Sequence, residues 1–249
     1  MRFLDRARND ELGVTPKFHA SRFTPTMRLA IAILTAIAIL LTSAWVVIFT
    51  RPIQHALLAA TPVETESLAR RAATTNALLD YFSGSSPSST GRPLPSPQRG
   101  GGIKGEGVVD RFTARELAHL TDVRGLILGL RAATLLTLAA LLWLFAVALR
   151  RGHVAKLTTA LGVGAKVNFM AVAALALLGL LAFPFLFDAF HRVAFRNDLW
   201  QLPLDATLLR LYPQAYFALG ALTIVLLDLL LATVVWLGLR VRPAPQPTS

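Results

Sequence analysis

Four long apolar runs restrict what this chain can fold into. The first, residues 29–49, contains twenty-one residues without a charged side chain, and comparable runs follow at 132–149, 167–187 and 214–239. Because a helix rises about 1.5 Å per residue, each run is long enough to cross a hydrocarbon core roughly 30 Å thick. Hydrophobic residues make up 54% of the chain and charged residues 16%, so polar side chains are too few to cover these runs in a soluble domain. We therefore predict an all-α integral membrane protein with four transmembrane helices and a small helical extracytoplasmic cap.

The first apolar run is also a candidate signal peptide. Signal peptides, however, have apolar cores of roughly seven to fifteen residues. This run is longer, and a basic segment of 28 residues precedes it. We therefore interpret it as a retained membrane anchor.

The positive charges beside the apolar runs predict the orientation. Residues 1–28 contain six Lys or Arg against three acids, residues 150–166 contain four against none, and Arg240 and Arg242 follow the last run. Cytoplasmic flanks carry an excess of Lys and Arg, so these segments and both chain ends are expected in the cytoplasm. They account for nine of the eleven net positive charges. The basic charge is therefore explained by membrane orientation, and nucleic acid is not an expected partner.

These boundaries give a predicted order of segments. They are a basic cytoplasmic N-terminus (1–28), transmembrane segment 1 (29–49), an extracytoplasmic region (50–125) with a flexible insertion (83–107), segment 2 (126–149), a cytoplasmic loop (150–166), segment 3 (167–187), an extracytoplasmic loop (188–213), segment 4 (214–239) and a cytoplasmic tail (240–249). The insertion is rich in Gly, Ser and Pro, a composition that buries too little apolar area to offset the ordering of its backbone.

Two short sequences in the region 50–125 match the capping box of a helix start. Thr61 is followed three residues later by Glu64, and Thr113 is followed by Glu116. In this pattern each side chain bonds the backbone N–H of the other residue. The first match predicts an amphipathic helix over 62–82 on the outer surface. The second predicts a helix that begins after Thr113 and continues into the second span.

Two of the five histidines are predicted to leave the membrane on the same, outer side. His119 and Asp122 are three residues apart on one face of the predicted second long helix. His191 follows the third span and precedes Asn197 and Asp198 in a short polar loop. A histidine oriented by a carboxylate suits acid–base catalysis near neutral pH. The alternative for His119 is a solvated interfacial residue in an ordinary helical i, i+3 pair.

The aromatic residues near His191 have two interpretations. They are Phe183, Phe185, Phe187, Phe190, Phe195 and Trp200. One interpretation is a slot for an acyl chain, with Phe187, Phe190 and Phe195 as the candidates. The other is the aromatic belt that is common at membrane interfaces without any ligand.

Two further pairs bear on the packing of the spans. Arg131 and Asp228 lie at the edge of a span or within one, where an ionisable side chain is costly and indicates a function or a partner. Gly125 and Gly129 form a small-xxx-small pattern that predicts close packing against another helix.

Two separated motifs and the four-span topology resemble a family of bacterial membrane proteins. The motifs are RFTARELAHLTDVRGLI at 111–127 and FHRVAFRNDLW at 190–200. The resemblance extends to Tyr81 before the insertion and to the sequence LYP at 211–213. On these residues the chain resembles the lipoprotein intramolecular transacylases, from the first span to the fourth.

The resemblance implies an activity and the residues that perform it. Members of that family move the ester-linked sn-2 acyl chain of a lipoprotein's diacylglyceryl cysteine onto the amino group of the same cysteine, which leaves a lyso-form lipoprotein. Carried over by motif, the catalytic pair is His119 and His191. The positions implied to support it are Asp122, Asn197, Asp198, Trp200 and Tyr81. The resemblance further implies a diacylated lipoprotein substrate, contact with membrane lipid, an active site at the outer leaflet of the bacterial plasma membrane, and no metal or soluble cofactor.

The chain departs from the pattern of that family at a few positions. Leu120 stands where Met is frequent, and Gln214 stands where Glu is usual. The segment between Trp200 and Pro213 is one residue short, and the insertion at 83–107 is atypical. None of these departures removes either histidine.

Two other functions fit the same residues. One is a non-enzymatic membrane scaffold or chaperone that binds a partner through the helix predicted at 62–82. The other is a metal-dependent lipid hydrolase that uses the same His and Asp side chains as ligands. The chain contains no cysteine, which excludes a thiolate nucleophile and a thiolate metal site.

Overall fold

The computed structural model of the chain describes residues 24–83 and 111–239. Within these two ranges the chain forms seven α-helices and no strand. The helices are α1 (Pro25–Phe49), α2 (Arg51–Ala60), α3 (Leu68–Ser83), α4 (Ala114–Arg150), α5 (Val154–Ala194), α6 (Thr207–Leu211) and α7 (Gln214–Gly238). Most of the predicted N-terminal segment, the insertion apart from Ser83, and the predicted C-terminal tail lie outside the described residues.

Four of these helices, α1, α4, α5 and α7, are long and apolar enough to cross a membrane. This confirms the predicted all-helical membrane fold. With 37 and 41 residues, α4 and α5 are about 55 and 62 Å long, roughly twice the thickness of a hydrocarbon core. Both helices therefore continue beyond the apolar part that spans the membrane.

The start of α4 is fixed by the capping box predicted at Thr113. Thr113 Oγ1 accepts from the backbone N–H of Glu116 at 3.3 Å, and Glu116 Oε2 accepts from the backbone N–H of Thr113 at 2.7 Å. The helix then runs into the apolar segment without a break, as predicted. Glu116 Oε1 accepts from the backbone N–H of Leu208 in α6 at 2.8 Å. One buried carboxylate therefore holds the N-terminal ends of two helices.

The capping box predicted at Thr61 is wrong. Thr61 directly follows α2, and its hydroxyl donates back to the Leu57 carbonyl at 2.8 Å instead of accepting from a later N–H. The next helix begins only after Ser67, whose Oγ accepts from the backbone N–H of Arg70 at 3.4 Å. The helix predicted over 62–82 therefore starts late, because the chain turns here so that α2 and α3 can pack against each other.

The central helix α1 packs against α4, α5 and α7, and its closest approach to α5 is at Gly164. A Cβ at this position would lie 2.4 Å from the Ala32 carbonyl oxygen and 2.7 Å from the Thr35 Cβ. Only glycine allows this contact. By contrast, a Cβ on Gly125 or Gly129 would meet nothing within 4 Å. The close packing predicted at those two glycines is therefore not found among the described residues.

We expect the substitution Gly164→Ala to destabilise the bundle, because the added methyl would have to push α1 away from α5. Overpacking of this kind costs about 1–3 kcal/mol, which lowers the thermal midpoint of a chain this long by roughly 5 °C. Thermal unfolding of the purified protein in detergent measures this change in the midpoint. The matched control is Gly162→Ala, where a Cβ would meet nothing within 4 Å. A midpoint for Gly164→Ala equal to that of the control would contradict the close contact.

The two ionisable residues predicted at the spans have separate partners. Arg131 Nη1 donates to the Ser83 carbonyl oxygen at 3.4 Å, at the end of α3. Asp228 is fully buried in α7, and its Oδ2 accepts from the side-chain amide of Asn168 in α5 at 2.6 Å. The second contact joins α5 and α7 inside the bundle.

A helical cap, consisting of α2, α3, α6 and the first turns of α4, has an apolar core of its own. Its buried members are Leu58, Phe82, Phe112, Leu120, Ile127, Leu208, Leu211 and Tyr212. From α3, Phe82 belongs to this core, and Ala72, Leu78 and Tyr81 pack against it. The apolar face of α3 therefore packs within its own chain. In the scaffold alternative, this is the helix that would bind a partner.

A buried arginine joins three helices of the cap. Arg71 is 1% exposed and donates from Nε to the Leu211 carbonyl at 2.8 Å, and from Nη1 to the carbonyls of Leu58 (3.1 Å) and Thr61 (2.6 Å). Burial lowers the pKa of Arg71, while these carbonyls stabilise its charge because they lie at the C-terminal ends of α2 and α6. The short helix α6 is thus held at its start by Glu116 and at its end by Arg71.

Two tyrosines add polar contacts between the cap and the bundle. The Tyr212 hydroxyl shares a hydrogen bond with the Thr75 hydroxyl of α3 at 2.9 Å, and burial raises the pKa of Tyr212 to about 12. The Tyr216 hydroxyl of α7 donates to the side chain of Gln54 in α2. These contacts fix α2 and α3 over the start of α7.

The helix α5 bends close to Pro184. Ala182 has the non-helical angles φ −146° and ψ 41°, two residues before Pro184. Proline has no N–H to donate and its ring crowds the preceding turn of a helix. The bend sets the direction of the last turns of α5, which carry His191.

Candidate active site

Both histidines selected from the sequence lie at one end of the bundle. Since α4 begins at the end of the bundle where α5 finishes, His119 of α4 and His191 of α5 come together. We call this the histidine end and the opposite end the far end. The two imidazole centroids are 6.2 Å apart. At that separation one water molecule or one reacting group can contact both rings.

The ring of His191 is oriented by the backbone of its own helix. His191 Nδ1 lies 2.7 Å from the Phe187 carbonyl oxygen. Because a carbonyl oxygen only accepts, Nδ1 of the neutral ring carries the proton and donates it. Nε2 is then left with a lone pair. His191 is therefore arranged to accept a proton at Nε2.

The ring of His119 is packed but lacks the carboxylate partner that the sequence suggested. It meets the Phe195 ring edge-on at 5.1 Å, and its buried Nδ1 has no hydrogen-bond partner among the described residues. The Asp122 carboxylate instead accepts from the Asn197 side-chain amide at 2.9 Å. No hydrogen bond between Asp122 and His119 is formed, because the loop after α5 occupies the carboxylate. Asp122 can act on His119 only through its charge.

Two hydrogen bonds join the first motif to the second. One is the bond between Asp122 and Asn197. The other runs from Arg115 Nη2 to the Asp198 carbonyl oxygen at 2.5 Å. Asn197 Oδ1 also accepts from the backbone N–H of Leu199 at 3.0 Å, which fixes the turn. Asp198 thus contributes its backbone carbonyl, and the residue itself is exposed.

Aromatic side chains surround His191. The distances from its ring centroid are 4.3 Å to Phe187, 5.4 Å to Phe190, 5.6 Å to Phe195 and 5.2 Å to Trp200. All three residues selected as candidates for an acyl-chain slot are in this set. Phe185, by contrast, is 69% exposed and lies on another face of α5. The imidazole of His191 is therefore partly buried against a group of aromatic rings.

Tyr81 lies next to α4 and contacts it through an arginine. The Arg124 guanidinium carbon is 4.6 Å from the centre of the Tyr81 ring, a cation–π contact. Tyr81 also contacts Phe82 of the cap core at 5.6 Å. The structure thus places Tyr81 where it supports the α4 segment that carries His119.

A metal site of the kind needed by a metal-dependent hydrolase requires at least three ligands close together. In residues 24–83 and 111–239, no three His, Asp or Glu side chains come close enough to hold a metal ion. The two histidines and the nearby acids are divided between an imidazole pair and the Asp122–Asn197 bond.

The sequence analysis did not identify Arg71 as a buried residue, nor did it identify the contact of Glu116 with α6. Arg71 shares its helical face with Thr74, Thr75 and Phe82, all of them buried, whereas the adjacent Arg70 is exposed. This spacing could have indicated that Arg71 is buried, since residues three and four apart lie on one side of a helix. The partner of Glu116 in α6 has no such signal, because Leu208 is 92 residues away.

The helical bundle and its histidine end place this chain in the class of polytopic helical membrane proteins, with a site formed by two imidazoles. The family model described as "Lipoprotein intramolecular transacylase Lit" matches residues 29–217. The chain belongs to this family, as its resemblance had implied. It is therefore a membrane acyltransferase of the lipoprotein intramolecular transacylase type, and the family implies a lipoprotein substrate.

Solved structures give the same fold. The in meso structure of the membrane integral lipoprotein intramolecular transacylase Lit from Bacillus cereus matches with a TM-score of 0.65 and 16% sequence identity, over 87% of this chain and 96% of that chain. At 16% sequence identity, the similarity between the two structures shows that they share a fold. A search of curated protein sequences finds no match.

Proposed function

We propose that this enzyme moves the sn-2 O-acyl chain of a diacylglyceryl-cysteine lipoprotein onto the amino group of the same cysteine, by acid–base catalysis with His191 and His119. The observation that carries the proposal is the pair of imidazoles at 6.2 Å, one of which has its tautomer set by the Phe187 carbonyl. Both reacting groups belong to one substrate molecule, so the enzyme has mainly to fold that molecule into an attack geometry.

His191 acts as the base in the first half of the reaction. The cysteine amine attacks the carbonyl carbon of the ester, and a C–N bond forms. The nitrogen must lose one proton as it becomes an amide. Nε2 of His191 accepts this proton, since its Nδ1 already donates to Phe187. The resulting imidazolium is stabilised by the same backbone carbonyl.

His119 acts in the second half, when the C–O bond of the ester breaks. The departing glycerol oxygen must gain one proton, and the imidazolium of His191 returns to it the proton taken from the amine, so the reaction needs no net acid or base. A ring N–H of His119 donates a hydrogen bond to the developing oxyanion or to the leaving oxygen. Two imidazolium rings 6.2 Å apart would repel each other, so the pair carries at most one extra proton at a time.

The aromatic surroundings serve the acyl chain. Phe187, Phe190 and Phe195 give an apolar wall next to the ring that handles the proton. A wall of this kind contacts the hydrocarbon near its ester and keeps water from hydrolysing it.

We place the active site at the outer leaflet, with both chain ends in the cytoplasm. Arg150, Arg151, Lys156 and Lys166 lie at the far end of the bundle, away from the histidines. Such an excess of positive residues is typical of the cytoplasmic side. The histidine end then faces the side on which lipoproteins carry their acyl groups.

The test is transfer within one synthetic substrate. Purified protein is given a diacylated lipopeptide whose sn-2 chain carries deuterium, and tandem mass spectrometry locates the label. We expect a product of unchanged mass in which the label is on the N-terminal amide and resists mild alkali. The control substrate has an ether at sn-2, which cannot transfer. Release of labelled fatty acid would indicate a hydrolase instead, and label on a second, unlabelled lipopeptide would show that the transfer is not intramolecular.

A further inference from the structure

The far end of the bundle contains a groove that the acyl-transfer site does not use. It lies between the first turns of α5 and the last turns of α7 and has a volume of about 430 Å³. Its lining residues are Thr158, Thr159, Gly162, Val163, Lys166, Trp236 and Leu239. The absence of a side chain at Gly162 helps to open it, since a Cβ there would meet nothing within 4 Å.

The groove carries positive charge that no carboxylate neutralises in residues 24–83 and 111–239. Lys166 is exposed and lines the groove, and Lys156, also exposed, lies ten residues earlier in α5, nearer the far end of the bundle. Neither lysine forms an ion pair with a carboxylate in the described part of the chain. On the four long helices, every acid other than Asp228 lies at the histidine end, and Asp228 is bonded to Asn168. The chemistry of the groove therefore favours an anion.

The surroundings of the groove favour a lipid over a free anion. Val163 and Val167 of α5 are 50% and 55% exposed, so the groove opens onto an apolar surface that hydrocarbon chains cover in a membrane. Trp236 lines it, and an indole with one polar edge is characteristic of the boundary between headgroups and hydrocarbon. Basic pockets between transmembrane helices on the positively charged side bind anionic headgroups.

We propose that this groove binds one anionic glycerophospholipid, with its phosphate at Lys166 and its acyl chains along the exposed apolar faces of α5 and α7. The site is separate from the histidine end and does not depend on the transfer reaction. Because the groove joins two of the four spanning helices, an occupied site stabilises the bundle through binding to the folded state.

Native mass spectrometry of the full chain, released from detergent after titration with defined lipids, tests this proposal. The probes are phosphatidylglycerol, phosphatidylcholine and inorganic phosphate. We expect a single phosphatidylglycerol to remain bound at concentrations at which phosphatidylcholine does not, and inorganic phosphate at the same concentration not to displace it. Equal retention of the two lipids, or displacement by phosphate, would overturn the lipid site.

Three variants locate the site. Lys166→Gln is expected to weaken phosphatidylglycerol binding about fivefold, the effect of one basic residue near a membrane surface. Gly162→Leu fills the groove and should remove the bound lipid. Arg150→Gln removes one charge from the same end without touching the groove and should leave binding unchanged. Equal weakening by Lys166→Gln and Arg150→Gln would show that only diffuse charge attracts the lipid, which contradicts a built site.

Discussion

Replacing His191 with Asn is expected to abolish acyl transfer. The substitution removes the Nε2 lone pair that accepts the amine proton, and the loss of a positioned general base lowers the rate by about 10²–10⁴-fold. The expected readout is a diacylated lipopeptide that remains unchanged under conditions in which the wild type converts it completely. Folding is not expected to suffer, because the ring is only partly buried and its single polar contact is with its own helix.

The matched control for this variant is another histidine of the same chain. His55 lies in α2, and its Nε2 contacts the Asn76 side chain at 3.1 Å, outside the candidate site. The substitution His55→Gln should leave the rate within about twofold of the wild type, because surface changes away from a site have small effects. Full activity of His191→Asn, with its expression and thermal midpoint intact, would show that this ring is not the base.

The role of His119 can be separated by comparing two amides. The Asn side-chain N–H₂ overlaps the position of Nδ1, and the Gln side-chain N–H₂ overlaps that of Nε2. If His119 serves as a hydrogen-bond donor, the amide that replaces the donating nitrogen should retain more activity than the other. Two equally inactive variants would instead indicate that His119 must exchange a proton, as an amide cannot.

Replacing Arg71 with Met is expected to cause the largest loss of stability of any single change in the cap. It removes three charge-assisted hydrogen bonds and leaves the carbonyls of Leu58, Thr61 and Leu211 without these donors. Unsatisfied buried groups cost about 1–3 kcal/mol each, so we expect a loss of about 3–5 kcal/mol. That corresponds to a fall of roughly 10 °C in the thermal midpoint in detergent.

The neighbouring arginine supplies the control. Arg70 is exposed, and among the described residues its ion pair is a 3.5 Å contact with Glu66, just before the same helix. Exposed pairs of this kind are worth about 0.3–0.5 kcal/mol, so Arg70→Met should hardly change the midpoint. Arg71→Lys keeps the charge but cannot place donors on carbonyls in three directions, so it should restore stability only in part. Similar midpoints for Arg71→Met and Arg70→Met would contradict the role assigned to the buried guanidinium.

The spanning helices, the start of α4 and the bend in α5 could be predicted from sequence because each has a local cause. Charge-free runs, a threonine and glutamate three residues apart, and a proline act over one or two turns. The segment after Thr61 has the same local pattern as the segment after Thr113, yet only one caps a helix. The difference comes from tertiary packing, which requires the chain to turn between α2 and α3, and no local pattern contains that information.

The sequence allowed us to predict which residues of the candidate site come together, but not which hydrogen bonds they form. Topology brings His119 and His191 to the same end of the bundle, because one is near the start of a helix and the other near the end of the next. The hydrogen-bond partners were not predictable in this way. Asp122 is closer in sequence to His119, but it bonds Asn197, 75 residues away, because the loop after α5 folds back onto α4.

The short helix α6 is anchored at both ends by side chains from α3 and α4, which explains how the chain accommodates a change of length. By the resemblance given above, the segment from Trp200 to Pro213 is expected to be one residue shorter than the family pattern. Residues 201–206 are non-helical, so a deletion there shortens irregular backbone while Glu116 and Arg71 keep α6 in register. A change of length in this stretch would therefore leave α6 in place, because side chains from two other helices hold its ends.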